Sequence, residues 1–328
     1  MARTAARLVD WTLLVACNLI WASQFVLAKL VQERMGPVFA TFLPMTLATL
    51  LLVPIVRRER RARGRQDRPP GRDVAQFVLI GVCGQVAAQL LVTWGVGIAP
   101  ASNASLLALT LPVATAVMAF LILGERMTAV RWASFVFAIL GVLQCSGVDW
   151  RDLDFADRRF LLGNLLIVGG VGGSAFYNVY SKRLLTKYTP LEVLVFSYYA
   201  VVATLLPLAV AFERSGFAAM PRFGAKAWVG LVLLAVFQYG LSMVLFLNVL
   251  SRLDATQAAL SNYLIPFFGL VIAWLVLGER LTLPMVAGGL LVLASTLLVT
   301  VYEEQVGARR TRGRGTHLVA PPPAADDR

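Results

Sequence analysis

Charge is scarce in this sequence. Asp, Glu, Lys and Arg make up 15% of its 328 residues, where a soluble domain carries about 25%. Hydrophobic residues fill 58%, above the roughly 45–50% of soluble chains. A soluble single-core enzyme is therefore excluded as the leading class, and so is a disordered chain, which needs the opposite balance. The single histidine, His317, lies in a polar tail, so a His-based metal site inside a membrane is excluded. The three cysteines, Cys17, Cys83 and Cys145, sit in apolar runs with no CxxC and read as small packed hydrophobes. No GxxxxGK[ST] element occurs, which excludes ATP hydrolysis by this chain. No cofactor and no metal are expected.

Long apolar runs are what the chain does have. A helix crosses the hydrocarbon with about 20 apolar residues, and ten candidate runs fall at 11–30, 37–56, 74–95, 101–123, 130–147, 160–181, 190–212, 226–250, 255–277 and 283–302. Net charge is +12, but the basic residues lie between apolar runs, so they report topology and no nucleic-acid partner is expected. With the N-terminus inside, cytoplasmic segments hold 21 Lys and Arg against 9 on the opposite side. Both termini are thus expected in the cytoplasm of a multi-pass cell-membrane protein. The stretch 57–72 reads as a topogenic stop, with anionic lipid head groups as an alternative partner.

An internal repeat is the strongest signal. At an offset of 154, residues 101–133 match 255–287 at 13 of 33 positions, including Pro112/Pro266 and Leu-Gly-Glu-Arg at 123–126 and 277–280. Near the start of each half, Lys29 and Pro37 fall on Lys182 and Pro190 at an offset of 153. Five helices per half is an odd number, so the second half enters the membrane from the opposite side, the arrangement of many secondary transporters. The expected fold is an all-α integral membrane protein of ten transmembrane helices in two inverted five-helix repeats. Its expected parts are a cytoplasmic N-terminus (1–10), the first repeat (11–147), an external linker (148–159), the second repeat (160–302) and a disordered cytoplasmic tail (303–328).

Trp21-Ala22-Ser23-Gln24-Phe25, together with the twice-occurring Pro…LGER, resembles the EamA-type drug/metabolite transporter superfamily. The resemblance covers roughly residues 10–302 and implies ten helices in a five-plus-five inverted arrangement. The sequence departs from the family pattern at Ala22, at Pro44, where an Arg is frequent, and at Ser174-Ala175-Phe176-Tyr177, where the second half lacks the Trp motif.

Within the LGER elements, Gly124 and Gly278 suit helix ends, and Thr128 and Thr282 suit N-caps. Glu125 and Glu279 read as locally paired structural groups rather than proton carriers. No Asp, Glu, Lys or Arg falls near the middle of a run, which argues against a buried carboxylate for coupling. Uncharged polar groups are then the candidates for substrate binding: Trp21, Gln24, Gln85, Gln89, Trp94, Asn103, Tyr177, Gln238, Tyr239 and Asn262. Each buried amide needs a partner or water, and interhelical bonding is the alternative to a cavity. The glycines at 169–173 read as close helix packing, with a flexible gate as the alternative. The function expected is a secondary transporter, with a small-molecule metabolite and membrane lipids as its partners. A membrane-embedded lipid-modifying enzyme is the alternative, but its acids, bases or metal ligands are missing at midplane. A non-transporting receptor is a further alternative, against which the repeat argues. Oligomeric state is left open.

Overall fold

The computed structural model describes residues 2–32, 35–65, 67–96, 98, 107, 110–145, 158–265, 268, 283, 286–288, 290–291, 293–295, 298 and 302. Among the described residues there are helices and turns and no strand. Helix α1 spans Ala2–Gln32 and α2 spans Pro37–Ala62. Helix α3 begins as Gly71–Leu79, widens into a π-helix over Ile80–Leu91 and ends as Val92–Val96. Helices α4 (Leu111–Leu123), α5 (Ala129–Cys145), α6 (Arg158–Leu184) and α7 (Pro190–Phe212) follow. Helix α8 joins Ala225–Leu233, a second π-helix at Leu234–Leu241, and Ser242–Leu250; α9 begins at Ala255–Leu260 and continues as a 3-10 turn, Ser261–Tyr263. Among the described residues, five segments are long and apolar enough to cross a membrane: Pro37–Ala62, Gly71–Gly95, Leu161–Leu184, Pro190–Phe212 and Ala225–Leu250.

The offsets seen in the sequence recur in the backbone. Helices α3 and α8 start at Gly71 and Ala225, and their π-helices start at Ile80 and Leu234, both 154 residues apart. Helices α2 and α7 start at Pro37 and Pro190, 153 apart, each with proline in the first turn, where its missing N–H costs nothing.

Helices α2 and α7 run antiparallel and are clamped at both ends. At one end Glu213, just past α7, accepts the Val38 and Phe39 amides at 3.0 and 2.7 Å, so it caps α2. At the other, Glu192 forms a capping box with Thr189 and ion pairs with Arg60 at 2.5 Å and Arg65 at 3.2 Å. Beside it, Asp73 accepts from the Tyr188 hydroxyl at 2.7 Å. Burial and the Asp73 charge push this phenol up to about 12, so it stays a neutral donor. The core between the clamps is apolar, with Phe39, Met45, Leu194, Val201 and Leu205 all inaccessible.

Helices α3 and α6 pack through glycine. A Cβ on Gly173 would stand 2.8 Å from the Ala88 nitrogen and 3.0 Å from the Gly84 carbonyl, and one on Gly170 would stand 2.5 Å from Val92. The glycines of α6 that face α3 thus serve close packing, as in other membrane bundles.

Candidate functional site

Six helices line a half-open cavity of about 180 Å³. Its lining comes from α1 (Trp21), α3 (Gln85, Ala88, Gln89), α4 (Leu111), α6 (Ser174, Tyr177, Asn178), α8 (Gln238, Tyr239, Met243, Phe246) and α9 (Asn262, Ile265). Both π-helices contribute to it. Such i→i+5 turns are rare and gather at functional sites, and here side chains hold the carbonyls of the lining segments. The Tyr198 hydroxyl from α7 donates to the Tyr239 carbonyl at 2.8 Å. Ser242 Oγ donates to the Gln238 carbonyl, and Thr93 Oγ1 donates to that of Gln89 at 2.7 Å.

The wall divides by chemistry. On one side the Trp21 and Phe246 rings lie 5.2 Å apart at 53°, next to Met243. Trp21 Nε1 donates to Ser242 Oγ at 2.9 Å, so the indole already has its polar partner. The rest of the wall carries amides and hydroxyls together with Ala88, Leu111 and Ile265. Tyr177 and Asn262 are 2% and 8% exposed. The Asn262 Oδ1 atom is buried with no hydrogen-bond partner among the described residues, while the Tyr177 hydroxyl has the side chains of Ser197, Gln85 and Ser181 beside it. A buried polar atom left alone carries a desolvation cost, so the Asn262 amide oxygen points to an occupant of the cavity. Among the described residues no charged side chain lines it.

Seven of the residues singled out from the sequence meet here: Trp21, Gln85, Gln89, Tyr177, Gln238, Tyr239 and Asn262. Trp94 does not line the cavity and is 46% exposed. It stands five residues beyond Gln89, which at about 100° per residue is about 140° off that face. Its repeat mate Asn248 is also off the cavity and donates to the Val244 carbonyl at 3.0 Å. Asn103, the Gln24 side chain, the second LGER element and the tail lie outside the described residues. Asn178 was missed, although an amide four residues after Ser174 on the same helical face was a readable signal.

The first LGER element is structural. Gly124 ends α4 at φ +70°, a left-handed conformation that suits glycine. Thr128 Oγ1 accepts the Arg131 amide at 3.3 Å. Glu125 crosses to α9, accepting the Ala255 and Thr256 amides at 2.8 and 3.1 Å and the Thr256 hydroxyl at 2.9 Å.

Comparison with known proteins places this architecture. A terminal-alkyne amino-acid exporter, named as probable, from Streptantibioticus cattleyicolor is 31% identical over 310 residues, covering 94% of this chain and 96% of the relative. An uncharacterized transporter of Archaeoglobus fulgidus is 25% identical over 89% of the chain and 98% of its own length. An S-adenosylmethionine uptake transporter of Rickettsia felis is 23% identical over 66% and 69%. A solved crystal structure at 18% identity superposes with a TM-score of 0.73 over 90% of this chain and 99% of that one, which shows a shared fold. The model of the EamA-like transporter family matches residues 11–146 and again 161–301. With nearly the whole chain covered, in the two segments that the repeat delimits, this membrane protein is a transporter rather than an enzyme and belongs to the EamA-like transporter family.

Proposed function

We infer that the protein moves a small polar or amphipathic metabolite, amino-acid-like or aromatic, across the cytoplasmic membrane by alternating access. The carrying observation is the half-open cavity lined by Trp21, Met243 and Phe246 together with amides and hydroxyls, among them the buried Asn262 Oδ1, which has no partner among the described residues. Its volume is well above the ~10–15 Å³ that one water needs and below the roughly 300–1,000 Å³ of drug-sized pockets, which suits a metabolite. With no charge among the described lining residues, a net-neutral solute fits better than a strongly charged one, since an unpaired buried charge is costly.

Gln85, Gln89, Tyr177, Asn178 and Asn262 would hold the polar end, and Trp21, Met243 and Phe246 the apolar end. The relative named as an amino-acid exporter supports this class. Two inverted five-helix halves would then rock about the cavity, both termini in the cytoplasm, driven by a gradient or by exchange. Purified protein is screened by thermal shift against amino acids and aromatic metabolites, because a ligand that binds only the folded state stabilises it. The hits are assayed for flux in proteoliposomes. The variants Gln85→Leu, Gln89→Leu and Tyr239→Leu should lower flux per folded molecule. Unchanged flux in all three would place binding elsewhere.

A further inference from the structure

We propose that Glu125 is a latch between the halves, closing the cavity at the end of the molecule that carries the α4–α5 and α8–α9 turns. This rests on the alternating-access reading above. Glu125 belongs to the first half, and its three bonds all go to α9 of the second. Arg131 of α5 adds a second crossing, its Nη2 2.8 Å from Asp254 Oδ2. Asp254 is held in turn within its own half, where Lys182 donates to the neighbouring Leu253 carbonyl and approaches Asp254 Oδ1 to 4.0 Å. The cluster stands between the cavity and that end. Ala255 is seven residues before the lining residue Asn262, about 10 Å along a helix, and Lys182 is four residues past Asn178, about 6 Å.

Two features mark Glu125 as a separable contact rather than a part needed to build α9. The helix carries its own capping box from Asp254 and Gln257, so two of its N-terminal groups remain satisfied when Glu125 leaves. The carboxylate also sits on a turn pivoted at the left-handed Gly124, not inside a packed helix. In this structure the latch is made. Reaching the cavity from this end requires the Glu125 carboxylate to give up the Ala255 and Thr256 amides and take water in their place. The solvated state open to this end is thus the one that the latch disfavours.

The test uses the full chain in oriented membrane vesicles, with the native cysteines replaced and Ser174→Cys in the cavity wall as reporter. An impermeant maleimide is applied from each face. Glu125→Ala should raise reporter labelling from the latch face about five-fold, the population change expected from losing one capping interaction, and lower it from the other face. Glu125→Gln, which keeps an acceptor, should fall between. Thr256→Val, which removes one of the three bonds, should shift labelling the same way if Glu125→Ala does not accumulate. Unchanged labelling in the variants that do accumulate, with a lower melting temperature, would overturn the latch and leave Glu125 as a stabilising cap. Failure of the transport reading shows separately, as equal labelling from both faces in the parent and no effect of any ligand on either.

Discussion

At the scale of single residues, an unsatisfied atom and a satisfied one should behave in opposite ways when removed. Asn262→Leu deletes an Oδ1 atom that has no partner among the described residues. Its loss relieves a desolvation cost, so the melting temperature should hold or rise. Flux per folded molecule should fall about ten-fold, the scale of one lost hydrogen bond to a bound solute. Glu192→Ala should do the reverse. Its carboxylate is inaccessible, caps α7 and pairs with Arg60 and Arg65, so its loss should cost about 2–3 kcal/mol, read from denaturant unfolding in detergent, with little change in solute affinity. Polar residues inside apolar runs were legible because hydrocarbon makes every amide conspicuous. What the sequence could not tell is which amides turn inward. Gln85 and Asn262 line the cavity while Asn248 bonds its own helix, and the three look alike in a string of letters.

Whole elements obey the spacing of their backbones. Gly172 and Gly173 are adjacent in α6, yet a Cβ on the first meets nothing within 4 Å, while one on the second meets Ala88 N and Gly84 O. Gly172→Ala should therefore leave stability unchanged or slightly raised, since alanine is the better helix former. Gly173→Ala should lower it by about 1–3 kcal/mol, the usual cost of overpacking, and should reduce flux by shifting the π-helix that carries Gln85 and Gln89. Unfolding curves of the two variants, measured side by side, check this. The close α3–α6 contact was readable from the small-residue spacing. The π-helices were not, because an i→i+5 turn leaves no mark of its own in a run that is apolar nearly all round. Their equal starting offsets, Ile80 and Leu234, show that the repeat carries a backbone irregularity which neither copy reveals by itself.

Across the whole molecule, the repeat at an offset of 154 is legible by sliding the chain along itself, and the cavity takes its lining from the six helices expected to meet there. Sidedness rests instead on where the arginines lie, and the antiparallel α2–α7 pair makes it measurable. Glu213 fixes Ser215 near the Pro37 end of α2, whereas Arg60 donates to the Asp67 carbonyl near the far end. A helix of 26 residues spans about 39 Å at 1.5 Å per residue, more than the ~30 Å hydrocarbon core. Ser215 and Asp67, both exposed, must therefore face opposite compartments if α2 spans the membrane. The eight arginines at 57–72 resist translocation, so the side expected for Asp67 is the cytoplasm. In intact cells an impermeant maleimide should label Ser215→Cys at once and Asp67→Cys only after permeabilisation. Labelling of both from outside would mean that α2 does not cross, and exchange of the two patterns would reverse the orientation of the transporter.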